Sequence, residues 1–259
     1  MKIALCLSGG LRNFKDTYHS FKHFLLDNHD VDVFFYGLEN KEGSIKNEKD
    51  LIELYNPKKF KINNNEFYDN IESNIFNKNQ NKEANTYYSF FNVIKCIELK
   101  SEYEKENDLK YDIVIRSRTD HFWFRELTDY ELNTSLEKII IPIEWSFKEV
   151  NSFGRFDGFA IGSSKLMDEY SYLYNNIDDY YSKINPILHG ESMMGYHLMV
   201  NNIPNIELDR CIIFEYPSKS IEKFIHPYKF IKYFDNLTED DIVDFENYNR
   251  HNSNKRKNF

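Results

Sequence analysis

Arginine and aspartate side chains follow a short apolar run near the middle of the chain, in the segment YDIVIRSRTDHFW at residues 111–123. The run IVI at 113–115 is typical of a strand that is covered on both faces of a sheet. Arg116, Arg118 and Asp120 come directly after it. Because ligands of open α/β sheets bind outside the carboxyl ends of the strands, this cluster indicates a site for an anion, a metal ion or both. The other interpretation is a structural salt bridge, since ion pairs at surfaces are common.

A second polar segment follows the first apolar run of the chain. Residues 2–7, KIALCL, predict a strand, and Ser8, Gly9, Gly10 and Arg12 come directly after it. Glycine turns let a backbone approach a ligand closely, and they expose N–H groups. Phenylalanine, tyrosine and leucine then recur at helical spacing, at positions 14, 18, 21, 24 and 25. A strand, a Gly-Gly turn and a helix form the entry unit of a nucleotide-binding α/β fold, although the same turn also serves as a plain connection.

The remaining apolar and periodic stretches predict one α/β domain, with a central sheet flanked by helices. Further strands are predicted at 31–36, 60–62, 112–115, 139–142, 159–161 and 211–214. Helices are predicted at 51–55, 87–105, 167–174 and within 186–200, a surface loop at 63–81, and a short capped helix beginning at Thr238. We expect the main domain to cover 1–235, and a C-terminal helix with a polar tail to cover 236–259.

Composition and charge exclude several classes of function. The 259 residues carry a formal net charge of −9, which argues against a nucleic-acid partner, because such proteins rely on Lys and Arg to displace counterions. Cys6, Cys96 and Cys211 form no CxxC pair, so we expect reduced thiols in the cytoplasm. No stretch approaches the ~20 apolar residues that cross a bilayer, and the first apolar run is too short for a signal sequence. We therefore expect a cytoplasmic protein with no membrane span.

Four segments occur in order along the chain: SGGLRNF at 8–14, YDIVIRSRTD at 111–120, FDGFAIG at 156–162 and HGES at 189–192. Together they resemble the GT-A-type glycosyltransferases, in particular a group of small cytosolic enzymes of microbes and giant viruses. The resemblance covers most of residues 1–230 and implies a Rossmann-like mixed sheet. It also implies a hexosyl or N-acetylhexosaminyl transferase that moves a sugar from a nucleoside-diphosphate sugar, with UDP as the expected nucleotide, to a hydroxyl acceptor such as a glycan. A viral member would act in the host cytoplasm or the virion.

The resemblance also implies roles for individual residues. It places seven residues beside the nucleotide sugar: Ser8, Gly9, Gly10, Arg12, Arg116, Arg118 and Asp120. The segment 116–120 takes the place of the family's Asp-x-Asp metal motif, but Arg118 stands at its first acidic position. A manganese or magnesium ion would be held by Asp120, by His226, and by phosphate and water oxygens. Alternatively, Arg116 and Arg118 neutralise the diphosphate directly and no metal is needed.

Two acidic residues are the candidates for the chemical step. Glu191 would be the base that takes the proton of the acceptor hydroxyl if the enzyme inverts configuration. Asp157 would orient a hydroxyl of the donor or acceptor. The other interpretation of Glu191 is a residue of the first helical turn, where the helix dipole favours a carboxylate. His226 precedes Pro227 and could equally be a surface residue without a ligand.

Two other functions fit parts of the same pattern. A sugar nucleotidyltransferase shares the nucleotide half of the fold, but it favours a longer Gly-rich loop with a lysine, which SGGLRN lacks. A non-catalytic nucleotide-sugar-binding protein would explain the missing first acid of the metal motif. The glycines are not followed by the Gly-Lys-Ser/Thr of a P-loop, and the chain contains no GxSxG nucleophile elbow. The oligomeric state cannot be read from these patterns.

Overall fold

The computed structural model describes residues 1–12, 14–38, 47–63, 82–123, 125–142, 154–184, 189–208 and 213–215. All of them belong to one compact unit, Met1–Tyr216. The strands are β1 Lys2–Gly10, β2 Asp30–Leu38, β3 Lys59–Asn63, β4 Ile113–Ser117, β5 His121–Trp123, β6 Ile139–Pro142, β7 Phe159–Ser163, β8 Asn205–Leu208 and β9 Ile213–Glu215. The helices are α1 Phe14–Phe21, continued by a π-helical turn at Lys22–Leu26, α2 Asn47–Tyr55, α3 Lys82–Glu106, α4 Asp129–Ser135, α5 Ser164–Ser171, α6 Leu173–Ile184 and α7 Gly190–Val200.

Seven strands form one mixed sheet in the order β3-β2-β1-β4-β7-β6-β8. β3, β2, β1 and β4 run parallel, whereas β7 runs antiparallel to both β4 and β6. The chain moves outward from β1 to β2 and β3, and then returns to the other side of β1 at β4. The sheet therefore has a topological switch point between β1 and β4, where α/β folds bind ligands. The α/β class with a mixed central sheet flanked by helices is confirmed.

Aromatic side chains fill the layers on both faces of the sheet. On one face, Phe34 of β2 meets Tyr103 of α3, with ring centroids 5.7 Å apart. On the other face, Trp123 of β5 packs between Phe21 of α1 and Phe159 of β7, at centroid distances of 5.9 and 5.6 Å. Helices thus cover both faces, which explains why β1 and β4 are continuous buried runs rather than alternating ones.

Several boundaries differ from the sequence prediction. The strand predicted to end at residue 115 continues through Arg116 and Ser117, because both residues pair with β1 and with β7. The helix predicted at 167–174 is two helices, α5 and α6, and the chain turns at Tyr172 between them. α4, β5 and β8 were not predicted. The loop at 63–81, Cys211, His226 and the helix at Thr238 lie wholly or mainly outside the described residues, and the boundary at 235 stays a prediction.

Two smaller expectations concern the cysteines and the membrane. Cys6 and Cys96 are buried, reduced core residues, as expected for apolar positions of a strand and a helix. Within the described ranges, no helix is both long enough and apolar enough to cross a membrane.

Candidate functional site

The carboxyl end of β1 brings the backbone of two strands unusually close together. Gly9 has a φ of +110°, in the region that favours glycine, and a Cβ added there would meet no atom within 4 Å. Gly37 of β2 is its register partner, and a Cβ at Gly37 would overlap the carbonyl oxygen of Gly9. Glycine is therefore required at both positions, and the space beside Gly9 is open.

The two polar segments predicted from the sequence meet at this edge. The hydroxyl of Thr119 donates to the carbonyl oxygen of Gly10 over 2.7 Å. Nη1 of Arg12 donates to Oδ2 of Asp120 at 2.8 Å. Arg118 donates to both oxygens of the same carboxylate, from Nε at 2.9 Å and from Nη2 at 2.7 Å. Asp120 thus stands between two guanidinium groups, next to the glycine turn.

The electrostatics of Asp120 follow from these contacts. Its side chain is only 5% exposed, and burial alone would raise the pKa of the carboxyl group. The charge and hydrogen bonds of Arg118, with Arg12 adding to them, outweigh burial and hold the pKa of Asp120 well below its ordinary value. Asp120 is therefore ionised at neutral pH, while Arg12 keeps 54% of its side chain exposed.

Arg116, near the end of β4, is a buried cation. Its side chain is among the largest that are fully enclosed, and neither Nε nor Nη1 has a hydrogen-bond partner among the described residues. Burial lowers the pKa of Arg116, while Tyr170, Asp157 and Asp120 act in the opposite sense. Buried guanidinium nitrogens without partners carry a large desolvation cost, so their presence calls for a physical reason.

Ser8 lies on the same face of the sheet as Arg116. Arg116 pairs in register with Cys6, and Ser8 follows Cys6 by two residues, so the side chains share one face. The hydroxyl of Ser8 is buried and, within the described part of the chain, has no hydrogen-bond partner. Two buried polar groups at the switch point are thus left with unused hydrogen-bonding capacity, and both face the α3 side.

His121, which received no role from the sequence, lies at the base of the arginine cluster. Its Nδ1 accepts a hydrogen bond from the backbone N–H of Arg118 at 3.3 Å and lies 3.0 Å from the Ser117 hydroxyl. This places the proton of the neutral ring on Nε2. Burial first, and then the charge of Arg118, lower the pKa of His121 well below its ordinary value. His121 is therefore a neutral, structural support for the turn at 118–120.

A third polar group forms at the amino end of α7. Nδ1 of His189 lies 2.5 Å from Oε2 of Glu191. Asp157 reaches the same place from the segment before β7, because a Cβ on Gly190 would overlap its carboxylate. The contact with Glu191, and the nearby charge of Asp157, raise the pKa of His189. The charge of Asp157 also acts on Arg116, whose pKa it raises.

The described side chains around Asp120 do not fit a divalent metal ion. Both carboxylate oxygens accept hydrogen bonds from guanidinium groups, whose positive charge repels a second cation. No cluster of three or more His, Cys, Asp or Glu side chains suitable for a metal occurs among the described residues. The predicted ligand His226 lies outside them, so the manganese or magnesium site stays a prediction.

The structure thus assembles two of the predicted groups and adds two histidines. Gly10 contacts Thr119, Arg12 contacts Asp120, and the carboxylate of Asp157 lies against Gly190, next to Glu191. The sequence contained a signal for His189, since it lies two residues before Glu191 in HGES. His121 carried no such signal, because its partners are fixed only by the turn that precedes it.

The fold and this edge define an α/β protein with arginine side chains clustered at the switch point of its sheet. The chain belongs to the family described as a domain of unknown function, DUF7796, whose model matches residues 1–204. A comparison with curated proteins gave no match. The matched range includes β1, β4, β7 and α7, and so contains every described residue of the candidate site.

Proposed function

We propose that this chain is a glycosyltransferase of the GT-A type, which uses a nucleoside-diphosphate sugar, a UDP sugar first among the candidates. The observation that carries the proposal is a set of buried polar atoms without hydrogen-bond partners among the described residues, Nε and Nη1 of Arg116 and the Ser8 hydroxyl, at the switch point of the sheet. A diphosphate would supply acceptor oxygens to both of them. The nature of the donor rests on the resemblance described above.

The charges at the edge suit a diphosphate leaving group. When the bond between the sugar and the phosphate breaks, negative charge grows on the departing nucleoside diphosphate. Cations that are already fixed in place stabilise this charge without reorganising. Arg116 is fixed by burial, and Arg118 is fixed by its two hydrogen bonds to Asp120. In this proposal the arginines do the work of a divalent metal, and Asp120 orients Arg12 and Arg118.

Gly9 accounts for the access of the donor to these cations. Its open side lies at the carboxyl end of β1, where a larger residue would occupy space and could not easily adopt the backbone conformation. The N–H groups of a glycine turn can approach a phosphate closely. In this proposal the carboxylates of Asp157 and Glu191 would face the sugar and the acceptor.

Release of nucleoside diphosphate from a panel of UDP, GDP and dTDP sugars tests the proposal. We expect slow hydrolysis of one donor, with water as acceptor, and its loss in Arg116→Met. Stabilisation by a nucleotide without any turnover would instead support a non-catalytic binding protein. Release of pyrophosphate from a nucleoside triphosphate and a sugar phosphate would support a nucleotidyltransferase.

A further inference from the structure

Thr119 lies in the turn between β4 and β5, flanked by Arg118 and Asp120, and is only 1% exposed. We propose that Thr119 is a positioning residue of the diphosphate site. Its hydroxyl group holds the turn at 118–120 at a fixed distance from the glycine turn that ends β1. This inference rests on the proposed function, and it adds a residue to which the sequence assigned no role of its own.

Strand pairing does not set the spacing between these two segments. The paired register of β1 and β4 ends with Leu7 opposite Ser117. The glycine turn and the turn at 118–120 both lie beyond this last pair. Their separation therefore depends on side-chain contacts rather than on the hydrogen-bond ladder of the sheet.

Two described side-chain contacts cross this gap, and they differ in their exposure to water. The hydroxyl of Thr119 donates to the carbonyl oxygen of Gly10 over 2.7 Å. Nη1 of Arg12 donates to Oδ2 of Asp120 at 2.8 Å, but 54% of the Arg12 side chain is exposed. Water and salt weaken such an exposed ion pair. The contact made by the enclosed Thr119 is therefore the firmer link between the two turns.

The main chain of Thr119 is held as well as its side chain. Its carbonyl oxygen accepts a hydrogen bond of 2.6 Å from the hydroxyl of Thr17, a fully buried residue of α1. Because Arg118 and Asp120 are its direct neighbours, a shift of Thr119 would displace both of them. The bond to Thr119 also commits the carbonyl oxygen of Gly10 to the turn at 118–120. A carbonyl oxygen that faced the open space beside Gly9 would repel a phosphate.

Two substitutions of Thr119 separate the hydroxyl group from the size of the side chain. Thr119→Val removes the hydroxyl at nearly constant shape, and should lose most of the affinity that UDP has in excess of uridine. In donor hydrolysis its kcat should fall by about 100-fold, as a misplacement of about 1 Å can cost. Thr119→Ser keeps the hydroxyl and should retain both properties. Thr128→Val removes a hydroxyl from the capping box of α4, and as the matched control it should lower stability without changing the ratio of UDP to uridine affinity.

The outcomes separate this inference from the proposal on which it rests. Absence of both UDP binding and turnover in the unmodified protein overturns both. An unchanged affinity ratio in Thr119→Val overturns the inference alone, and so does an equal loss in Thr119→Ser or in Thr128→Val. If Thr119→Val does not fold, Thr17→Val takes its place, because it removes the donor to the Thr119 carbonyl oxygen. Full UDP affinity in that variant would likewise overturn the inference.

Discussion

One lysine and one arginine, Lys100 and Arg116, are fully buried in the described core. They differ in whether their polar atoms have hydrogen-bond partners. Lys100 of α3 donates to Ser164 and Asp168 at 2.8 Å and reaches Glu104 at 3.3 Å. Nε and Nη1 of Arg116 have no such partner in the described ranges. Replacing each cation by methionine therefore removes a satisfied group in one variant and an unsatisfied group in the other.

The expected effects have opposite signs. Removing a buried polar group that lacks partners recovers a desolvation penalty of about 1–3 kcal/mol, so Arg116→Met should be more stable than the unmodified protein. For a chain of this size that corresponds to a rise in Tm of about 2–12 °C. Lys100→Met removes a cationic partner from the buried Glu104 and from Asp168, which is 39% exposed. It should cost about 3 kcal/mol, the lower end for breaking a buried pair.

Ligand binding should reverse the ranking. A charge-assisted hydrogen bond contributes about 1.5–3 kcal/mol, so Arg116→Met should bind UDP about 10–150-fold more weakly. Lys100→Met lies away from the proposed site and should keep its UDP affinity wherever it remains folded. Thermal unfolding with and without UDP measures both quantities on the same samples.

The reasoning fails if Arg116→Met loses stability to the same extent as Lys100→Met. Such a result would mean that Arg116 has stabilising partners in the folded protein. It fails equally if Arg116→Met is more stable but binds UDP as tightly as before. In that case the buried guanidinium would not contact the phosphates.

Three further predictions concern other parts of the molecule. Asp120→Asn should reduce the decrease in the free energy of unfolding between about pH 7 and 3, measured by urea unfolding. The lowered pKa of Asp120 provides stability above its unfolded pKa of about 4, which is lost as pH falls toward the folded value; an unchanged acid arm would contradict this. Thr128→Ala removes the capping box with Glu131 at α4 and should cost about 1 kcal/mol without altering UDP binding. EDTA should leave donor hydrolysis unchanged, whereas a rate lost with EDTA and restored by manganese would favour the metal site with His226.

The sheet could largely be read from the sequence because its strands are long apolar runs. β1 and β4 are buried on both faces, so their composition alone marks them. β8 was missed because its four residues are all only partly buried and its sequence, NIEL, lacks a continuous apolar run. α4 is too short to show an apolar periodicity. Its usable signal in the sequence was the Thr-x-x-Glu capping pattern at 128–131.

The residues of the site could be predicted by type, but their relationships could not. The sequence shows Arg116 and Arg118 two residues apart, directly after the apolar run of a predicted strand. Arg118 binds Asp120, while Nε and Nη1 of Arg116 are buried without partners in the described structure, because Arg116 lies inside β4 and Arg118 lies in the turn after it. The extension of β4 by two residues, which moved Arg116 into the sheet, results from pairing with β1 and β7. The paired residues lie far apart in the sequence, so their pairing leaves no local pattern.

The histidines show the same limit. His189 lies beside Glu191 because α7 begins at Gly190, and that glycine also gives room to the carboxylate of Asp157. The segments 156–162 and 189–192 were recognised separately, but only the fold brings them into contact. Their proximity could therefore not be predicted from the sequence.

Calorimetric titration of the unmodified protein with UDP, UMP and uridine, in the presence of EDTA, tests the central claim most directly. If Arg116, Arg118 and Ser8 hold the diphosphate, affinity should increase with each phosphate, and UDP should bind far more tightly than uridine. Equal affinities for UDP and uridine, or no binding of UDP, GDP or dTDP, would contradict a diphosphate site at the switch point of this sheet.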